Sequence, residues 1–163
     1  QDFALKSKGF NLIGNEIDLS DYLPNDIVGR CDVLLEHEET KYTVLIDIKS
    51  VRPNAFRYKN LLKDSYVKQV NAYRLGIENM GKNVKYMYIF VVDRAGSNSP
   101  VILEVPRIDD DTMINIMDTY ITAVKMYEQT KKLPSVLDKI LDKSKLWQCD
   151  YCKFYQISCG GAE

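Results

Sequence analysis

Apolar residues in this chain gather in short runs bounded by polar turns, interrupted by stretches whose apolar positions recur at helical spacing. Phe10 to Leu19 reads as a first strand. Residues 27–37 and 41–50 contain Val28-Gly29-Arg30-Cys31-Asp32-Val33-Leu34-Leu35 and Val44-Leu45-Ile46-Asp47-Ile48-Lys49-Ser50. They read as neighbouring strands, joined by the polar turn His37-Glu38-Glu39-Thr40 into a hairpin. Pro53-Asn54 breaks the pattern. Over residues 62–79, Leu62, Tyr66, Val70, Tyr73 and Ile77 fall at helical spacing. Val84 to Val92 is a strongly apolar strand, and the turn Arg94 to Pro100 leads into a strand over Val101–Val105. Asp109-Asp110-Asp111 precedes a long helix, whose N-terminal dipole end favours carboxylates. That explains the triplet better than a metal site does. Residues 2–8 read as the end of a helix closed by Gly9 as a C-cap, and a short helix is expected over 134–143. The order is helix, three strands, helix, two strands, helices: one α/β domain over residues 1–163, with a mixed central sheet flanked by helices.

Composition narrows the class without choosing a function. A chain of 163 residues, 45% hydrophobic and 28% charged, suits a single globular core. No apolar run is long enough to span a membrane, and the N-terminus lacks a secretory pattern. We therefore expect a cytoplasmic protein, and Gln1 as first residue suggests further residues upstream. The formal net charge of −1 gives no extended basic surface. A local groove of Arg52, Arg57, Lys59, Lys63 and Lys68 remains, although on charge alone a solvated helix face is the better explanation of those cations. A single histidine, His37 at the hairpin tip, argues against Ser-His-Asp or Cys-His catalysis and against a His-rich zinc centre.

The chemistry worth noting lies in the hairpin. Strand side chains alternate between faces, so Asp47 and Lys49 project to one side and Ile48 to the other, and hairpin pairing brings Asp32 near them. Two carboxylates and one ammonium inside an apolar sheet are costly to desolvate, and their pairing offsets that cost only in part. A divalent cation offsets much more. Asp32 and Asp47, with the carbonyl of Ile48 as a third oxygen, form a partial shell suited to magnesium or manganese. Lys49 beside it would orient a water or stabilise a charged transition state. The plainer alternative is a structural Asp–Lys pair with a second Asp nearby.

Gly29-Arg30-Cys31-Asp32 followed by Asp47-Ile48-Lys49-Ser50 resembles the PD-(D/E)XK nuclease superfamily, and within it the RecB-type exonuclease branch, which includes phage exonucleases and CRISPR-adaptation nucleases. That branch carries a Gln-x-x-x-Tyr motif on the helix after the D-x-K strand, where Gln69-Val70-Asn71-Ala72-Tyr73 stands here. Residues four apart share a helix face. The resemblance covers about residues 10–160 and implies a restriction-endonuclease-like core and a Mg²⁺- or Mn²⁺-dependent deoxyribonuclease. Its DNA exonuclease activity would serve recombination, repair or CRISPR adaptation, with a recombination or helicase protein as partner. Asp32 and Asp47 would bind metal, Lys49 would assist attack, and Gln69 and Tyr73 would position phosphate or Lys49. Two other readings stay open: a PD-(D/E)XK endonuclease, and a catalytically silent module that binds nucleic acid or protein.

Three of the four cysteines, Cys149, Cys152 and Cys159, lie in a C-terminal motif at 147–160. Such spacing suits a soft metal, zinc or one face of an iron–sulfur cluster. The resemblance implies a cluster there with a fourth cysteine upstream of the core. Cys31 is the only other cysteine, and a buried strand thiol is its simpler reading. Many members of the branch carry a metal-binding His on the first helix. None precedes position 37 here, which leaves Glu16 as a substitute or as an exposed strand residue.

Overall fold

The computed structural model describes residues 8–24, 27–57 and 61–131, with Arg57 described by its backbone alone. The expected short helix over 134–143, the cysteine motif and residues 2–7 lie outside the described residues. By contacts between Cα atoms the chain divides into two units, at Ile114/Asn115.

The first unit is a five-stranded mixed sheet with helices, an α/β fold. Strand β1 (Phe10–Asp18) leads through a 3-10 turn (Ser20–Tyr22) to β2 (Arg30–His37) and β3 (Tyr42–Val51). Where Pro53-Asn54 led us to expect only a break, the short helix α1 (Pro53–Arg57) begins. Proline suits the first helical position, where its missing N–H costs nothing. Helix α2 (Asp64–Asn79) follows, then β4 (Asn83–Asp93), β5 (Val101–Glu104) and α3 (Asp110–Thr130). The sheet order is β1-β2-β3-β4-β5. β1–β2, β2–β3 and β4–β5 pair antiparallel, while β3–β4 pair parallel. A parallel pair needs a long crossover, and α1 and α2 supply it.

The two faces of the sheet differ in chemistry, as period-2 alternation requires. On one face, Thr43, Leu45, Asp47 and Lys49 of β3 lie beside Val84, Met87, Ile89 and Val91 of β4, and α2 adds its buried Val70 and Ile77 to the core. The other face lines a groove of about 770 Å³ with Val44, Ile46, Tyr86, Tyr88, Phe90 and Ile102 among its walls. Ile102 is 65% exposed there.

Helix α2 is anchored at both ends of its buried face. Its C-terminus closes in a Schellman arrangement, with Lys82 N–H donating to the Ile77 carbonyl (3.2 Å) and Gly81 N–H to the Glu78 carbonyl (2.9 Å). Gly81 adopts φ of 81°, which glycine alone takes without strain. Arg74, fully buried, pairs with Glu78 (2.6 Å) and Asp110 (2.7 Å) and donates to the Ile108 carbonyl (3.1 Å). Asn71 accepts from Ile108 N–H (2.9 Å) and donates to the Pro106 carbonyl (3.0 Å). These bonds tie α2 to the segment that follows β5. Asp109 caps α3 by accepting from Thr112 N–H at 2.9 Å, so the acidic triplet starts a helix, as its sequence suggests.

The described part of the second unit is the remainder of α3. Tyr120 and Val124 are exposed on it, and Thr119 donates back to the Asn115 carbonyl at 2.8 Å.

Arg74→Ala leaves Glu78 and Asp110 without their buried partner and is expected to cost about 3–5 kcal/mol. Lys41→Ala breaks only the 3.7 Å surface pair with Glu36 and should cost less than about 1 kcal/mol. Urea unfolding at unchanged slope measures both, and equal small losses would contradict the anchoring role of Arg74.

Candidate active site

The β2–β3 ladder runs from Glu36↔Thr43 to Val33↔Ile46 and stops there. One step further Asp32 would face Asp47, but the ladder is not continued. Instead Asp32 Oδ2 accepts the backbone N–H of Ile48 at 2.6 Å, a charge-assisted bond that replaces a rung of the ladder. β3 continues alone with β4, placing Asp47 next to Ile89 and Lys49 next to Val91. The site therefore forms at the carboxyl end of the parallel pair, where open α/β sheets commonly bind ligands.

Asp47 is only 2% exposed. Burial pushes its carboxyl above the ordinary range, Lys49 opposes that shift, and the negative charge of Asp32 adds to it. Lys49 Nζ lies 2.9 Å from Asp47 Oδ2, but this oxygen has no well-directed hydrogen bond. The ammonium thus pairs with the carboxylate chiefly by charge rather than through a well-aligned hydrogen bond. Lys49 Nζ also donates to Gln69 Oε1 at 2.8 Å, and Gln69 Nε2 donates to the Tyr73 hydroxyl oxygen at 2.6 Å. The chain Asp47–Lys49–Gln69–Tyr73 sets the orientation of the Gln69 amide, because an ammonium can only donate. It also uses Tyr73 as an acceptor, leaving the phenol proton available to donate.

Gly29 has a specific task here. A Cβ at that position would meet Leu23 Cδ1 at 2.8 Å and Tyr73 Cε1 at 3.0 Å, so glycine lets the Tyr73 ring lie against the backbone leading into β2 without displacing either side chain. Tyr66, three residues before Gln69 on α2, is half-buried, and Lys49 Nζ lies 5.2 Å from its ring centroid. The sequence shows Tyr66 only as one of the positions at helical spacing, and the fold reveals the lysine beside it.

The structure thus brings Lys49, Asp47, Gln69 and Tyr73 into one contact chain and joins Asp32 to the Ile48 backbone beside it. Glu16 does not join them: it is exposed on β1 at a positive φ of 50° and pairs with Arg30 at 3.9 Å. Of the groove cations, Lys68 pairs with Asp64 at 2.8 Å and Lys63 lies over the Tyr66 ring at 5.4 Å. Arg52 is exposed, while the side chain of Arg57 and all of Lys59 lie outside the described residues. So do Cys149, Cys152 and Cys159 and the cluster or zinc expected on them. Cys31 is fully buried, and desolvation pushes its thiol up to about 11.

Asp32 and Asp47 are hard oxygen donors of the kind a divalent cation takes, and Lys49 already pairs with one of them. Among the described residues, no three His, Cys, Asp or Glu side chains cluster as a metal site. Protein side chains here offer at most two carboxylates. Magnesium suits such a set, since it retains waters and takes oxygens from a substrate phosphate.

No protein-family model matches the sequence, and no curated protein matches it. Among solved structures, the crystal structure of SSO0001 is similar to this chain with a TM-score of 0.52 at 16% sequence identity. The match covers 99% of this chain and 66% of that one, just under two thirds of its length. At this identity the likeness concerns the fold alone. No described helix is long and apolar enough to cross a membrane.

Because the Asp47 carboxyl is raised in the folded chain, the folded state holds its proton to higher pH than the unfolded state does. Stability from this group is therefore greatest below the ordinary carboxylate range. It falls as pH rises toward the raised value, and the deficit persists at neutral pH. Asp47→Asn should raise the thermal midpoint at pH 7 and leave it nearly unchanged at pH 3. A lowered midpoint at pH 7 would mean that the Lys49 pairing outweighs burial. For Cys31, a pKa of about 11 leaves roughly one thiolate in a thousand at pH 8. Iodoacetamide should spare it in the native protein and modify it in denaturant, as read by peptide mass; rapid native alkylation would contradict its burial.

Proposed function

We propose that this chain is a RecB-type nuclease of the PD-(D/E)XK superfamily, a Mg²⁺- or Mn²⁺-dependent enzyme that hydrolyses DNA phosphodiester bonds from strand ends. The observation that carries the reading is the contact chain from Asp47 through Lys49 and Gln69 to Tyr73, with Asp32 hydrogen-bonded to the backbone beside it. Its order along the chain matches the order of the motifs that the sequence resembles. A sheet in which a parallel pair follows an antiparallel meander supports the same reading.

In this reading Asp32, Asp47 and the Ile48 carbonyl hold the cation. When bound, it supplies charge neutralisation on the phosphate and a more acidic water. The protein's own side chains do the remaining work. Lys49 holds a positive charge beside the reacting phosphate, where negative charge grows during attack. Asp47 and Gln69 hold that ammonium in place, so little reorganisation accompanies the reaction. Tyr73 fixes Gln69 and keeps a hydroxyl proton to donate toward a phosphate oxygen. A recombination or helicase protein is the partner class this activity would serve, in the cytoplasm of a bacterial or phage-infected cell.

A second reading, a nuclease-like module that binds without cutting, is favoured by the absence of a third carboxylate or histidine beside Asp32 and Asp47 among the described residues. Calorimetric titration with Mn²⁺ separates the two, since the silent module predicts no binding by the folded protein.

Asp47→Asn and Lys49→Ala should each lower cleavage of end-labelled linear DNA by roughly 10²- to 10³-fold while unfolding stays cooperative. Wild-type rates in both variants would overturn the proposal, and efficient cutting of closed circular DNA would make the enzyme an endonuclease.

A further inference from the structure

We infer that Tyr66 is a positioning residue for Lys49, its ring a third contact of the ammonium besides Asp47 and Gln69; the catalytic consequence rests on the nuclease reading above. An ammonium has three donors. One goes to Gln69 Oε1 at 2.8 Å, and the Asp47 carboxylate lies 2.9 Å from Nζ as an ion pair. Nζ also lies over the ring of Tyr66, 5.2 Å from its centroid. That lies within the range where a ring quadrupole attracts a cation.

The helix places the ring by its register. Tyr66, Gln69 and Tyr73 are three and four residues apart, so one stripe of α2 carries all three side chains toward the end of β3. Lys63 Nζ lies over the same ring at 5.4 Å, but Lys63 is exposed, whereas the Lys49 side chain is only 19% exposed. Cation–π attraction strengthens as the cation loses water, so the ring acts chiefly on Lys49. An aromatic ring also suits this position better than a third carboxylate would. It draws the ammonium without adding formal negative charge beside Asp47 and Asp32, so Lys49 keeps net positive character for an incoming anion. The contact needs only the ring, and phenylalanine should serve as well as tyrosine.

The test has one arm that needs no activity. In the full-length protein labelled with ¹³C at lysine, the ε-methylene protons of Lys49, assigned by their loss in Lys49→Ala, should resonate upfield of the other lysines through the ring current. Tyr66→Phe should keep this shift and Tyr66→Leu should remove it. In DNA cleavage, Tyr66→Leu should lower kcat roughly tenfold with KM within about twofold, and Tyr66→Phe should restore kcat to within about twofold of wild type. An unshifted Lys49 signal in the wild-type protein overturns the inference, whether or not the Tyr66 variants fold. So does a Tyr66→Phe enzyme as slow as Tyr66→Leu, or a Tyr66→Leu enzyme as fast as wild type. If the wild-type protein cuts no DNA, the nuclease reading fails, and the ring-current arm still decides whether Tyr66 holds Lys49.

Discussion

The pairing of the Lys49 ammonium with a buried carboxylate on its own strand and an amide on the facing helix is the constraint around which this molecule is arranged. Asp47 sits in the middle of a five-stranded sheet with Ile89 beside it, where a bare carboxylate is costly. Lys49 reduces that cost without removing it, because one buried oxygen of Asp47 still lacks a directed donor. A core built only for stability would place an apolar residue there. In the proposed nuclease reading, this is the kind of local cost that folds carry at functional sites.

The architecture positions that charge. β2 and β3 separate after Val33↔Ile46, and the side chain of Asp32 then takes the N–H of Ile48. β3 continues beside β4, and the crossover between them returns α2 over the same face. Gly29 lets the Tyr73 ring approach the start of β2 without a clash. Arg74 and Asn71 fasten the helix to the segment after β5, so the Gln69 and Tyr73 side chains face the strand end from a fixed support. Rigid elements hold polar groups more accurately than loops do, which suits a site that must present a charge with little reorganisation.

Much of this was legible in the sequence because it depends on period. Alternation along β3 puts Asp47 and Lys49 on one face, and the four-residue step from Gln69 to Tyr73 puts both on one side of α2. The hairpin turn and the acidic start of α3 follow from local chemistry, and the strands appear within a few residues of their expected ends. Other features depend on contacts distant in sequence. Nothing local signals that Arg74 would be fully buried, since its partner Asp110 lies in another element. Tyr66 reads only as one more position at helical spacing until β3 brings Lys49 to its ring. Pro53-Asn54 reads as a break, yet proline also starts a helix. The bond from Asp32 to Ile48 N–H depends on where the ladder stops, which periodicity does not specify.

The central claim is that the Asp32 and Asp47 carboxylates share one cation. Crystals soaked in Mn²⁺ and measured at the manganese absorption edge test it directly. The account predicts an anomalous peak within coordinating distance of both carboxylates, which Asp47→Asn abolishes. A peak that touches neither residue, or none at saturating Mn²⁺, would contradict it.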